Sequence, residues 1–165
     1  MTPQWWLTTD QDAALLEMHA RNYSKYRYRD GRAVNQCMGP GQKVPLRTHG
    51  DSWACDAIFG WRKFIDDCLD ERTGERQQGV NCAFFRNESA TRSSDLVRQA
   101  DAIADCLWLD RRHYTYVDPA SVRSGLAGAC FLYAGWKYAR HHGRRLRTKS
   151  GLLILERVSE KSDPL

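Results

Sequence analysis

The densest run of chemistry-bearing side chains is Arg86-Asn87-Glu88-Ser89-Ala90-Thr91-Arg92-Ser93-Ser94. Directly after it Leu96, Val97, Ala100, Ile103, Ala104, Leu107 and Trp108 recur at helical spacing, so the run stands at a helix N-terminus. A helix start presents N–H groups with no intrahelical acceptor and about half a positive charge. Arginines and hydroxyls around such a terminus compose a phosphate or pyrophosphate site. The same residues also suit an ordinary capped helix with a polar approach, Ser93 or Ser94 being the cap. No G-x-G-x-x-G and no P-loop lysine occurs, which argues against nucleotide hydrolases.

Charge marks two further segments. Residues 21–47 hold seven basic side chains against one acid, Asp30, and residues 137–149 hold six with no acid. The chain is net +5, so the remaining residues sum to −7. In the first segment Arg21, Lys25, Arg27 and Arg29 alternate with Tyr23, Tyr26 and Tyr28, a mixture that can hold phosphates and stack bases. In the second, Arg144, Arg145, Arg147 and Lys149 stand close together. Each run also suits a solvated basic loop. Two of them on an acidic body favour a polyanion or a phosphorylated cofactor.

The elements that must position these residues are readable in outline. Gln4 to Leu7 is predicted as a short strand and Asp10 to Asn22 as a helix capped by Thr9 or Asp10. Residues 23–43, with Gly31, Gly39, Pro40 and Gly41, are predicted as a long loop. Strands are expected at Val44–Thr48, Trp53–Trp61, Gly79–Phe85 and His113–Val117, and a surface connection at Asp66–Gln78. The main helix covers 94–108. A short helical piece, Cys130–Ala134, ends at Gly135, and a last strand pair covers Trp136–Arg140 and Gly151–Val158. The order gives an α+β fold whose central strand–helix unit presents the Arg/Ser-rich turn.

The strand 79–85, the polar turn, helix 94–108, strand 113–117 and Cys130-Phe131-Leu132-Tyr133-Ala134-Gly135-Trp136 resemble the Gcn5-related N-acetyltransferase (GNAT) superfamily, over roughly residues 45–158. That resemblance implies a single domain over 1–165, with a central mixed, mostly antiparallel sheet flanked by helices. It implies an acyl donor, acetyl-CoA or a related coenzyme A ligand, along Cys82, Ala83, Phe84 and Phe85 and at Arg86, Thr91, Arg92, Ser93 and Ser94. The sequence departs from the superfamily in lacking the glycine-rich turn. It also carries Phe131 where a general-acid tyrosine often stands, with Tyr133 offset by two.

A narrower resemblance rests on Asn22-Tyr23-Ser24, the Arg-Ser-Ser turn and Thr115-Tyr116-Val117-Asp118-Pro119, which look like the phage Mom family of DNA-modification proteins. It implies carbamoylmethyl-type modification of adenine N6 in DNA, protection from host restriction, and action in the cytoplasm of a bacterial host. Under it Tyr23, Ser24 and Asp118 are the catalytic candidates, with His19 one helical turn before Tyr23. The partner is then double-stranded DNA, held by Arg21, Lys25, Tyr26, Arg27, Tyr28, Arg29, Arg144, Arg145, Arg147 and Lys149. The alternative is a GNAT N-acetyltransferase acting on a small amine or a protein. The plain readings are a turn residue for Asp118, packing for Tyr23 and a structural role for His19.

Other classes are disfavoured. No apolar run approaches the length of a membrane helix, and Met1–Asp10 lacks a signal-peptide pattern. Six cysteines fall at 37, 55, 68, 82, 106 and 130 with no C-x-x-C pair and no zinc-finger histidine, so reduced thiols are expected and no metal ligand is assigned. No helix-turn-helix pattern is seen.

Overall fold

The computed structural model of the chain describes residues 4–22, 36–50, 54–122 and 125–160. In chain order the elements are β1 (Trp6–Leu7), α1 (Ala13–His19), β2 (Gln42–Arg47), β3 (Ala57–Lys63), β4 (Asp66–Leu69), β5 (Arg76–Gln77), β6 (Val80–Asn87), α2 (Ser93–Leu107), β7 (Arg112–Val117), α3 (Ala129–Tyr133), β8 (Lys137–Tyr138), β9 (Arg140–His141), β10 (Arg144–Arg145) and β11 (Leu153–Val158). Among the described residues one sheet holds seven strands in the order β1-β2-β3-β6-β7-β11-β8, and β4–β5 and β9–β10 form two hairpins. Every neighbouring pair in the sheet is antiparallel except β6 and β7. Parallel neighbours need a crossover, and α2 supplies it. This is the α+β class and the mostly antiparallel sheet expected from the sequence.

Two irregularities give the sheet an opening. The parallel pairing of β6 with β7 covers Val80–Cys82 against His113–Thr115 and goes no further. At its last position Thr115 Oγ1 donates to the Cys82 carbonyl at 2.9 Å. From Phe84 to Asn87 the ladder of β6 runs to β3 alone. On that other side β3 pairs Trp61 with Cys82 but Gly60 with Phe84, so Ala83 has no residue opposite it. The extra residue is a β-bulge, which bends the strand and increases its local twist.

Alternation along the strands sorts the core onto two sides of the sheet. Phe59, Trp61, Val80, Cys82, Leu153 and Leu155 are buried with Leu96, Val97 and Ala100 of α2 and Phe131 of α3. Ile58 and Phe84 point the other way, against Leu15 and Met18 of α1. Farther along that second side Ile154 and Tyr116 pack with Ala139 and Leu146, at the base of the β9–β10 hairpin. Three indoles peg α2 onto the sheet: Trp5 Nε1 donates to the Leu96 carbonyl at 2.8 Å, Trp61 Nε1 to the Ala100 carbonyl at 2.9 Å, and Trp136 Nε1 to Asp101 Oδ2 at 2.9 Å.

Four local differences from the sequence reading have physical causes. Helix α1 starts later than expected, because Asp12, not Thr9 or Asp10, accepts from the N–H groups of Ala14 and Leu15. The third strand begins at Ala57, where burial begins. The expected connection 66–78 is the β4–β5 hairpin; its Asp66 is buried because the Tyr114 and Tyr116 hydroxyls both donate to Oδ2 at 2.7 Å. The second basic segment is itself a hairpin, turning through His142 (φ 50°) and Gly143 (φ 77°), the two positive φ angles of a type I′ turn.

Candidate functional site

Helix α2 begins without a side-chain cap. Arg92 stands at the cap position in extended conformation and makes no capping hydrogen bond. Ser93 and Ser94, read from the sequence as caps, are instead the first two helical residues. Asn87, at the end of β6, folds the approach: its Nδ2 donates to the Thr91 carbonyl at 2.7 Å and to Ser93 Oγ at 2.9 Å. Its Oδ1 accepts from the Ser89 N–H at 2.9 Å and the Ser89 hydroxyl at 2.6 Å. Thr91 Oγ1 donates to Gln4 Oε1 at 2.7 Å, which anchors the turn to the N-terminal segment. The turn is therefore held by its own polar side chains while the first N–H groups of α2 stay available to an outside acceptor.

That helix start opens on a cavity of about 510 Å³ lined by Arg92, Ser93, Ser94, Arg98, Cys130 and Tyr133. Arg98 lies one helical turn into α2. Its guanidinium bonds Asp95 Oδ1 at 2.9 Å and the Tyr133 carbonyl at 2.5 Å, joining α2 to the end of α3. Two guanidinium groups beside a helix N-terminus make a site for a di-anion such as a pyrophosphate. Burial pushes the Cys130 thiol up to about 11, so it is protonated near neutrality. Arg98, Cys130 and Tyr133 were not singled out as site residues from the sequence. Arg98 was within reach, four residues after Ser94 on the same helical face; α3 is too short for a periodicity to show which side chains face the cavity.

The other expected donor-site residues are distributed differently. Cys82 is buried and burial raises its thiol far above the usual range, so it serves as core. Ala83 is the bulge. Phe84 is buried on the α1 side of the sheet, whereas Phe85 is half-buried on the α2 side against Phe59, Trp5 and Phe131. Arg86 does not line the cavity: its Nε bonds Glu88 Oε2 at 2.7 Å and its NH1 the Arg21 carbonyl at 2.9 Å. The guanidinium groups of Arg21 and Arg86 hold the Glu88 carboxyl below its ordinary value.

Of the residues named for catalysis and DNA, Tyr23, Ser24, Lys25, Tyr26, Arg27, Tyr28 and Arg29 lie outside the described residues. His19 is buried at the end of α1 with its ring 4.9 Å from that of Phe84. Asp118 follows the end of β7 and folds the turn after it, accepting from the Ala120 N–H at 2.9 Å and Ser121 Oγ at 2.7 Å. The Ser121 hydroxyl, then the Ala120 N–H, hold its carboxyl below the ordinary value, so it is ionised at neutral pH. Arg21 is tied to Glu88 at 3.0 Å. Arg144, Arg145, Arg147 and Lys149 are exposed on and after the β9–β10 hairpin, with the Arg145 guanidinium 4.0 Å from the centre of the Tyr138 ring. Among the described residues no carboxylate pairs with any of these four. The hairpin base packs on Tyr116 and Ile154, beside the opening and on the side away from α2 and α3.

Among the described residues no group of His, Cys, Asp and Glu is arranged to hold a metal, and no helix is long and apolar enough to cross a membrane. All six cysteines are free thiols.

The class that this arrangement defines is visible in solved structures. An aminoglycoside acetyltransferase AAC(6')-Ib, in complex with coenzyme A and kanamycin, superposes with a TM-score of 0.61 at 12% identity, over 94% of either chain. A spermidine N-acetyltransferase from Vibrio cholerae, in complex with CoA and spermine, gives 0.57 at 7% identity over 95% of this chain and 96% of that one. The GNAT domain of S. lividans PAT gives 0.56 at 18% identity over 94% and 89%. No family model and no curated protein matches the sequence. At these identities the likeness establishes the fold, and the fold is GNAT.

Proposed function

We propose that the chain is an N-acyltransferase that takes its acyl group from a coenzyme A thioester. One observation carries this: the uncapped start of α2, with Arg92 and Arg98, opens on a cavity, and α2 follows directly from β6, the strand that parts from β7 after Cys82 and Thr115. The residues present fit the donor. Arg92, Arg98 and the first N–H groups of α2 would hold its pyrophosphate, and the main-chain groups of β6 beyond Cys82 that have no β7 partner would pair with its amides, as an added strand does. When bound, the donor supplies an activated acyl thioester. The protein's part is to orient that carbonyl with main-chain N–H groups and to admit an amine from the opposite side of the opening. That AAC(6')-Ib and the spermidine enzyme are described with coenzyme A and with kanamycin or spermine supports both halves of the reading.

The test is calorimetry with coenzyme A, followed by thiol release from acetyl-CoA across a panel of amines. Micromolar binding that collapses in an Arg92→Ala/Arg98→Ala variant is expected. Absence of coenzyme A binding by the intact chain would overturn the reading.

A second reading makes the acceptor amine adenine N6 in duplex DNA. A carbamoylmethyl-type product joins N6 to a CH2 carbon, not to an acyl carbonyl, so a coenzyme A thioester alone does not supply that group and this reading requires a further donor that carries the amide nitrogen. The observation favouring it is the cationic hairpin beside the opening, whose arginines meet no carboxylate among the described residues. A free polyamine or aminoglycoside is itself a cation and would be repelled there, whereas a polyanion bearing the amine would be attracted. The amine is stacked inside duplex DNA, so the base must be extruded at a cost of a few kcal/mol, which phosphate contacts at Arg144, Arg145, Arg147 and Lys149 would offset. Tyr23, Ser24 and Asp118 are then the candidates to orient the amine or take its proton, and host protection from restriction is the consequence. Nucleoside mass spectrometry of plasmid co-expressed with the protein should show a modified deoxyadenosine; unmodified DNA alongside turnover of a small amine decides for the first reading.

A further inference from the structure

The bulge at Ala83 is where β6 leaves β7, so whatever fixes it also aims the main-chain groups of β6 that face the opening. A bulge is one residue of slack and can migrate unless a neighbour pins it. Here the neighbour is Gly60. It sits opposite Phe84 in the β3–β6 ladder, immediately past the slip, and the Phe84 ring fills the space that a side chain at position 60 would need. A Cβ at position 60 would stand 2.5, 2.7 and 3.0 Å from three carbons of that ring. The ring is closed in from above by α1: His19 meets it edge-on at 4.9 Å and 70°, and Leu15, Met18, Met38 and Ile58 complete the box. Phe84 is 3% exposed. Moving the bulge one residue along would turn Phe84 to the other side of the sheet, because successive side chains alternate. The box forbids that.

We propose that Gly60, through Phe84 and His19, is a positioning device for acyl transfer: the missing side chain seats the ring, the ring fixes the bulge, and the bulge sets the β6 N–H groups against the acyl carbonyl. This rests on the acyl-CoA reading above. It makes no demand on the identity of the acceptor. The pyrophosphate contacts at Arg92 and Arg98 and the amide contacts along β6 are common to coenzyme A and acetyl-CoA, so the contact to the acyl carbonyl is what separates the two ligands.

The experiment is isothermal titration of the full chain with acetyl-CoA and, separately, with coenzyme A. One added hydrogen bond to the acetyl carbonyl corresponds to a preference of roughly 3–10-fold for acetyl-CoA in the unaltered protein. In Gly60→Ala that ratio is expected to fall to near one, whatever loss the two ligands share through their common contacts along β6. Phe84→Leu, which keeps Gly60 but removes the ring, is expected to do the same and covers the case in which Gly60→Ala fails to fold. A ratio unchanged in the folded variants, or both ligands weakened in parallel, overturns the proposal. Coenzyme A binding without any acetyl preference in the unaltered protein overturns it while leaving the acyl-CoA reading standing. Binding of neither ligand overturns that reading, and this proposal with it.

Discussion

The two longer helices begin in opposite ways. At the start of α1, Asp12 accepts from the N–H groups of Ala14 and Leu15 at 2.9 and 3.4 Å, from Thr8 Oγ1 at 2.7 Å, and from Arg47 at 3.1 Å. Its donors, charge and partners are all settled inside the protein. At the start of α2 there is no capping side chain, two arginines line a cavity, and the polar residues of the approach bond one another and the Ser93 hydroxyl, not the first N–H groups of the helix. Capping is worth about 1 kcal/mol, and serines adjoin the position. A helix that forgoes it, with Arg92 at its start and Arg98 bonded to Asp95 one turn on, leaves its first N–H groups without a side-chain cap. The closed start contributes stability, and under the proposed reading the open one contributes binding.

Substitutions can break that contrast. The largest effect is expected from Arg92→Ala with Arg98→Ala, where loss of two charge-assisted contacts should weaken coenzyme A about 100-fold in calorimetry. Loss of the exposed Arg98 bonds to Asp95 and the Tyr133 carbonyl should cost no more than about 1 kcal/mol in urea unfolding. Next, Asp12→Ala should remove about 1–2 kcal/mol of stability in urea unfolding and leave coenzyme A affinity unaltered. This stability has a direction in pH. Burial alone would raise the Asp12 carboxyl, but the Thr8 hydroxyl, Arg47 and the Leu15 N–H outweigh it and hold it below its ordinary value of 3.8. Its contribution is therefore fully present above that value and is lost as pH falls through the lower folded one. The gap between Asp12→Ala and the unaltered protein should close in acid.

Smaller, and sharper as a test, is Ser93→Asp. A carboxylate in the first turn of α2 should stabilise the fold by about 0.5 kcal/mol while lowering coenzyme A affinity roughly tenfold, trading one kind of helix start for the other. Smallest on stability is Arg144→Ala with Arg145→Ala, within about 0.5 kcal/mol for exposed side chains. If duplex DNA binds, its log–log salt slope should fall by about 1.8 in that variant; an unchanged slope removes the hairpin from the interface.

What was legible in the sequence follows apolar periodicity. Leu96, Val97, Ala100 and Ala104 announced α2 to within a residue at its start, and β6 was evident as a run buried over Val80–Cys82. Elements held by polar contacts were not legible. In β4, Asp66 is buried by two phenols from β7, a pairing that no local pattern can reveal. The β9–β10 hairpin is written in arginine and histidine, and its turn depends on His142 adopting a positive φ. The polar turn before α2 is legible because its composition is local, although Arg92 and not a serine stands at the cap position. The cavity was only half found: Cys130 and Tyr133 reach it through tertiary packing of α3. The bulge was invisible, since it depends on which residue of β3 stands opposite which of β6.

The indole donors to α2 have one more consequence. Trp5, Trp61 and Trp136 are buried, and their ring N–H groups end on α2 itself, whereas Trp6 is largely exposed. Three of the six tryptophans therefore emit from buried sites whose polar surroundings are set by how α2 is seated. An anion drawing on the first turn of α2 should perturb the blue edge of the emission, which gives the protein its own fluorescent titration signal.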